Sequence, residues 1–193
     1  MSSSTRKGIV FVVSAPAGTG KNTLVNRLLE EFPHIAESVS FTTRSPRPGE
    51  IDGKHYHFIR QEQFDLRVAQ KDFLEYVSLY GYSYGTSRSE VETLQKDGKH
   101  VMLVIDTQGA LKLKGVIDAT YIFIVPPSMD ALQQRLEARR TETPEAIQNR
   151  LSWAQKEMEA IDKYDYSLIN DDMQTAYEAL RSIVIAEEHR VTH

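Results

Sequence analysis

A chain of 193 residues with 40% hydrophobic side chains carries enough apolar surface for one substantial domain with its own core. It has no cysteine, which excludes disulfides, thiolate catalysis and thiolate metal sites together and fits a reducing cytoplasm. The net charge of −4 excludes general attraction to nucleic acid, so an anion site must be a local cluster of Arg and Lys on a mildly acidic background.

Residues 1–7 are polar, and neither a signal-type segment nor a bilayer-length apolar span occurs, so the expectation is a soluble protein with a short polar start and no membrane contact. The apolar run 9–13 does not alternate and predicts a buried parallel strand. After it come Ser14-Ala15-Pro16-Ala17-Gly18-Thr19-Gly20-Lys21-Asn22-Thr23, and then Leu24, Val25, Leu28 and Leu29 on one helical face. A strand feeding a Gly-rich loop that opens a helix is the setting of a phosphate-cradling loop. Gly18 and Gly20 let successive N–H groups face an anion, and Lys21 adds charge toward the outer phosphates of a nucleoside triphosphate. Ala15 replaces the usual opening Gly, and Asn22 replaces the hydroxyl residue that normally reaches Mg²⁺. The Asn22 amide oxygen is itself a hard donor, direct or through water, and the competing reading is that Asn22 only caps the helix.

From about residue 40 to residue 88 the rhythm breaks into a stretch rich in Tyr, Gly, Pro, Thr and Arg, which predicts a small β-rich insertion. Buried strands are predicted again at 101–105, 121–125 and 166–169. Between and after them Ile147, Leu151, Ala154, Met158 and Ile161 share one helical face, and Ala176, Tyr177, Leu180, Ile183 and Val184 share another. Strands alternating with helices predict an α/β fold with a doubly wound parallel sheet and right-handed crossovers. Asp106 closes the run 101–105, the end at which such sheets meet ligands.

Several motifs in order then carry a resemblance. Ser40-Phe41-Thr42-Thr43-Arg44-Ser45-Pro46-Arg47-Pro48-Gly49-Glu50 runs on to Gly53 and Tyr56, and Phe73-Leu74-Glu75-Tyr76 and Tyr82-Ser83-Tyr84-Gly85-Thr86 follow. Ile105-Asp106-Thr107-Gln108-Gly109, Pro126-Pro127-Ser128, Arg135 to Arg139, Thr141-Glu142-Thr143 and Asn170-Asp171-Asp172 complete the series. With these the chain resembles the guanylate kinases over nearly its whole length.

The resemblance implies ATP and GMP (with dGMP) as substrates, Mg²⁺ as cofactor, and a cytoplasmic enzyme of purine nucleotide metabolism. It implies core segments at 1–39, 89–128 and 153–193, a GMP-binding insertion at 40–88 and a helical lid at 129–152. ATP would be held by Ala15, Pro16, Ala17, Gly18, Thr19, Gly20, Lys21, Asn22 and Thr23, with Asn170 and Asp171 on the adenine side. The GMP phosphate would fall to Arg44, Arg47, Tyr56 and Tyr84, since paired guanidiniums and phenols suit a dianion. Glu75 would accept both N1–H and N2–H of guanine, a donor pair that adenine lacks, with Ser40 and Thr86 assisting at the base and Asp106 near the ribose and the Mg²⁺ shell. Lys21, Arg135, Arg139 and Arg150 would meet the charge of the migrating phosphoryl group.

Plainer readings stand beside these. Arg44 and Arg47 flank a proline as a solvated loop would, Glu75 beside Tyr76 also suits a solvent-facing strand, and Arg135 and Arg139 are i,i+4 neighbours on a helix face. Asn170-Asp171-Asp172 is also ordinary turn chemistry, and the six His show no ligand spacing. Val104 stands where the family usually has a second carboxylate, and Arg140 where it usually has Gly. Those departures, with Asn22, suit a rival class: a catalytically impaired guanylate-kinase-like module that uses the monophosphate cleft to bind a protein. Lys21 and the lid arginines favour the enzyme.

Overall fold

Uninterrupted apolar runs form the strands of the larger sheet, whose two faces are both covered, so that polar alternation has no place there. β1 (Val10–Ser14), with every residue buried, leads into α1 (Lys21–Glu31) and then β2 (Ile35–Glu37). β3 (Phe41–Thr42), β4 (His57–Phe58), α2 (Gln61–Ala69), β5 (Phe73–Leu79) and β6 (Tyr82–Ser87) follow. Next come α3 (Arg88–Lys96), β7 (His100–Val104), α4 (Thr107–Leu113) and β8 (Thr120–Val125). The chain continues through α5 (Met129–Ala138), α6 (Pro144–Met158), β9 (Tyr166–Ile169) and α7 (Met173–Glu188). This computed structural model describes residues 7–138 and 143–191.

Five strands order as β2-β7-β1-β8-β9, with parallel ladders that pair Ile35 with His100 and Ile122 with Tyr166. A second sheet orders as β4-β3-β6-β5, mostly antiparallel, with β5 and β6 joined by a two-residue turn at Tyr80-Gly81. The chain divides into two units: one takes the chain up to Phe11 with His34–Ala119, the other Val12–Pro33 with the chain from Thr120 onward. No described helix is long and apolar enough to cross a membrane.

In the second unit Leu24, Val25 and Leu28 of α1 are buried, as are Ala176, Tyr177, Leu180 and Val184 of α7. Burial of each larger side chain stabilises by roughly 1.5–3 kcal/mol. Glu31 ties the two helices by accepting from the Tyr177 hydroxyl and, at 2.6 Å, from Arg181 Nε. In the first unit Phe41, Phe64 and Phe73 form a cluster beneath the small sheet.

All four apolar runs are strands, each within one residue of its expected bounds. Two elements differ from expectation. The insertion contains α2 as well as strands, because Gln63 Oε1 accepts from Arg60 N at 3.0 Å to open the helix and Phe64 packs on Phe73. The helical pattern ending at Ile161 stops earlier: α6 ends at Met158, and Ile161 begins a 3₁₀ turn through Lys163.

Candidate functional site

The phosphate loop lies in the second unit. Thr19 is fully buried, and both its N–H, at 3.3 Å, and its hydroxyl, at 2.8 Å, donate to the Pro16 carbonyl, which closes a tight turn after the buried Ala15 and Pro16 and the exposed Ala17. Gly18 and Gly20 have φ of +97° and +87°, the left-handed region that side chains with a Cβ avoid. Space also requires glycine at Gly20, since a Cβ there would sit 2.7 Å from Asn170 Nδ2. Lys21, half-buried, is the first residue of α1, and Asn22 and Thr23 are exposed in the same turn.

Gly20 itself is the N-cap, and the Asn22 side chain has no hydrogen-bond partner among the described residues. The capping alternative for Asn22 is therefore corrected: the chain enters the helix through a left-handed glycine, so that the cap position is already filled before Asn22. An exposed amide oxygen in the first turn remains available as a donor to a hard cation.

Asn170, only 2% exposed, sits just after β9. Its N–H donates to Val125 O at 2.8 Å, its Nδ2 to Thr19 O at 2.6 Å, and its carbonyl accepts from Arg135 Nη2 at 2.9 Å. A buried amide thus braces the phosphate loop, and Arg135 on α5 is drawn to the same point, with Asp171 O 3.4 Å away. Asp171 is exposed, and Arg150 is half-buried on α6. Arg139, like Arg140, Thr141 and Glu142, lies outside the described residues.

The second cluster lies in the first unit, where register aims the side chains. Glu75 on β5 pairs with Thr86 on β6 just after an irregularity between Phe73 and Glu75, and Tyr84 shares the Thr86 side of its strand by the two-residue repeat. Glu75 is 6% exposed; its Oε1 accepts from Thr86 Oγ1 at 2.6 Å, and its buried Oε2 has no partner among the described residues. Burial pushes this carboxyl up to about 7 against the Thr86 bond, with the nearby Asp106 adding to the rise and Lys112 opposing it. Asp106, half-buried, caps α4 by accepting from Gln108 N at 2.7 Å and Gly109 N at 3.1 Å. Gly109 makes room for the carboxylate: a Cβ on it would stand 2.7 Å from Glu75 Oε2.

Arg44 is mostly buried and forms a bidentate pair with Glu50, both bonds 2.9 Å. Its guanidinium carbon lies 5.4 Å from the centre of the Tyr56 ring, which is 6.0 Å from that of Tyr84. The Tyr56 hydroxyl is held above its ordinary value, first by burial and then by Tyr84. Arg47 is exposed, and the Ser40 carbonyl accepts from His57 N at 2.9 Å. Arg44, Tyr56 and Tyr84 are thus gathered together, as are Glu75, Thr86 and Asp106. Glu50 and Gly109 were missed in the sequence as site residues; the turn at Gly49, three positions past Pro46, was the available signal for Glu50, and no local pattern marks Gly109.

Comparison with known proteins agrees with this geometry. A family model described as Guanylate kinase matches residues 7–187. A guanylate kinase of Protochlamydia amoebophila (strain UWE25) is 57% identical over 187 residues, covering 97% of this chain and 95% of its own. Another, of Chlamydia felis (strain Fe/C-56), is 50% identical over 182 residues, 94% of this chain and 89% of its own. The crystal structure of guanylate kinase from Anaplasma phagocytophilum superposes with a TM-score of 0.79 at 33% identity, covering 96% of this chain and 88% of its own.

Proposed function

The chain belongs to the guanylate kinase family, and from that premise we propose a division of labour between its two residue clusters. The protein is an enzyme that phosphorylates GMP at the expense of ATP, and none of the similar proteins favours the impaired binding module. Glu75 carries the assignment of the acceptor site: a buried carboxylate with one oxygen tied to Thr86 and the other open to a donor suits the N1–H and N2–H edge of guanine. Ser40 assists at the base and Asp106 near the ribose, while Arg44, Arg47, Tyr56 and Tyr84 take the phosphate, within an insertion at 40–88. Residues 15–23 take the triphosphate, and Asn170 braces that loop on the side to which Asp171 and the adenine belong.

A GMP phosphate oxygen attacks the γ-phosphorus as the bond to the ADP oxygen breaks, and that oxygen is already anionic, so no general base is required. Lys21 and the lid arginines Arg135, Arg139 and Arg150, from residues 129–152, offset charge on the transferring group, and closure of such a lid excludes water that would otherwise be the acceptor. Reactions of this kind are metal-dependent; Mg²⁺, when bound with the triphosphate, neutralises charge on its outer oxygens. Asn22 is the residue that would hold it, directly or through water. We place the enzyme in the cytoplasm, with nucleotides rather than nucleic acid as its partners.

A coupled ADP-release assay is expected to show turnover with GMP and dGMP and little with AMP or UMP; equal turnover of AMP would overturn the base assignment. Asn22→Ala is expected to raise the Mg²⁺ concentration needed both for half-maximal rate and for half-maximal stabilisation by ATP against heat. Asn22→Ser should keep or improve both, because a compact hydroxyl meets octahedral coordination with less adjustment. Identical Mg²⁺ titrations in native, Ala and Ser proteins would remove Asn22 from the metal.

A further inference from the structure

We propose that Glu50 is a positioning residue for the acceptor phosphate, acting through Arg44 and through the turn that carries Arg47. The proposal rests on the reading of Arg44 as a ligand of the GMP phosphate. Glu50 Oε1 accepts from Arg44 Nη2 at 2.9 Å, and Oε2 accepts from Arg44 Nη1 at 2.9 Å and from the Arg47 backbone N–H at 2.7 Å. The Glu50 N–H returns a bond to the Arg47 carbonyl at 3.0 Å. One carboxylate therefore fixes the guanidinium of one arginine and the backbone of the other.

Arg44 has five N–H donors in a rigid fork. Glu50 takes two end-on, and the Ser45 carbonyl takes the second hydrogen of Nη1 at 2.7 Å. The two that remain, on Nε and Nη2, lie parallel along one edge, left for the Tyr84 hydroxyl and an incoming phosphate. The side chains of Arg44 and Glu50 are 10% and 19% exposed, and the Tyr56 and Phe58 rings flank the guanidinium at 5.4 and 5.7 Å. In so enclosed a pair, removing one partner frees the other to rotate, and water does not restore the lost orientation.

The sign of the effect separates positioning from simple charge. A carboxylate beside a phosphate site opposes a dianion, so a purely electrostatic Glu50 would weaken GMP, and its removal would tighten binding. Positioning gives the opposite result. In steady-state kinetics of the full chain, E50Q is expected to raise the GMP KM by about ten- to hundredfold, with a far smaller change in kcat at saturating GMP and in the ATP KM. Competitive inhibition by guanosine, which has no phosphate, should stay at its native strength. R44A should raise the GMP KM as well, and R44A/E50Q should be no worse than R44A alone, because Glu50 then has no guanidinium to orient.

A GMP KM that is lowered or unchanged in E50Q, additive effects in the double variant, or an equal loss of guanosine inhibition would each overturn the role of Glu50. An unchanged KM in R44A would instead overturn the phosphate reading beneath it. If E50Q does not fold, E50D keeps the charge on a side chain one methylene too short for the same fork and must still raise the GMP KM; a native value there counts against the proposal.

Discussion

Lys21→Ala is expected to lower kcat for GMP phosphorylation by roughly two to three orders of magnitude, the loss typical of removing one stabilising group from a developing anion. Lys21 follows Gly20 directly and opens α1, so its charge adds to the N–H groups that the positive φ of Gly18 and Gly20 turns outward. Those N–H groups hold the triphosphate in the ground state as well as in the transition state. The lysine charge matters most as negative charge spreads over the migrating phosphoryl group, so its loss should appear in kcat. GMP is assigned to side chains in the other unit, and its KM should move only a few-fold. Steady-state kinetics with each substrate varied in turn checks this. A kcat within about threefold of native would remove Lys21 from the chemistry.

Glu75→Gln is expected to cost on the order of 2–4 kcal/mol in kcat/KM for GMP, since an amide presents one donor to a base edge made of donors and buries the mismatch. The native enzyme should also lose kcat/KM as pH falls through about 7, where the buried Glu75 carboxyl takes up its proton and ceases to accept two hydrogen bonds. The GMP phosphate titrates lower, at about 6, and does so equally with both proteins. The limb near 7 should therefore vanish from the pH profile of the Glu75→Gln variant while the lower one stays.

Stability runs the other way. The folded carboxyl titrates at about 7 against an ordinary 4.5, so the folded protein holds the proton more tightly, and the contribution of Glu75 to stability declines as pH rises from 4.5 to 7. Glu75→Gln should accordingly melt higher than native at about pH 8 and near native at about pH 4.5. A variant that loses both GMP activity and thermal stability at about pH 8 would show that Glu75 serves the fold and not the base.

The resemblance to guanylate kinases, the phosphate loop and the sheet strands were legible because each is written in contiguous residues. Runs such as Val10 to Val13 and Tyr121 to Val125 have no polar alternation since both faces of their sheet are covered. β2 was not legible: it is three residues long, with only Ile35 buried. α2 hides for a similar reason, for Phe64 is its one fully buried residue and Leu66 beside it is exposed.

Residue types and their order along the chain thus determined which side chains serve phosphate and which serve a purine, because an arginine, a glycine or a lysine carries its charge or its backbone freedom wherever it is placed. What those side chains do before substrate arrives was decided by contacts between distant positions. Asn170 meets Thr19 across 151 residues, and in the other unit Glu75 meets Thr86 only through strand register. Burial then raises the Glu75 carboxyl to about 7, a shift that comes from the protein packed around it and is written in no motif. Even Glu50, six residues from Arg44, required the turn at Gly49 to bring its carboxylate back to the guanidinium, since a carboxylate orients an arginine only at hydrogen-bond distance and chain spacing alone does not set that distance.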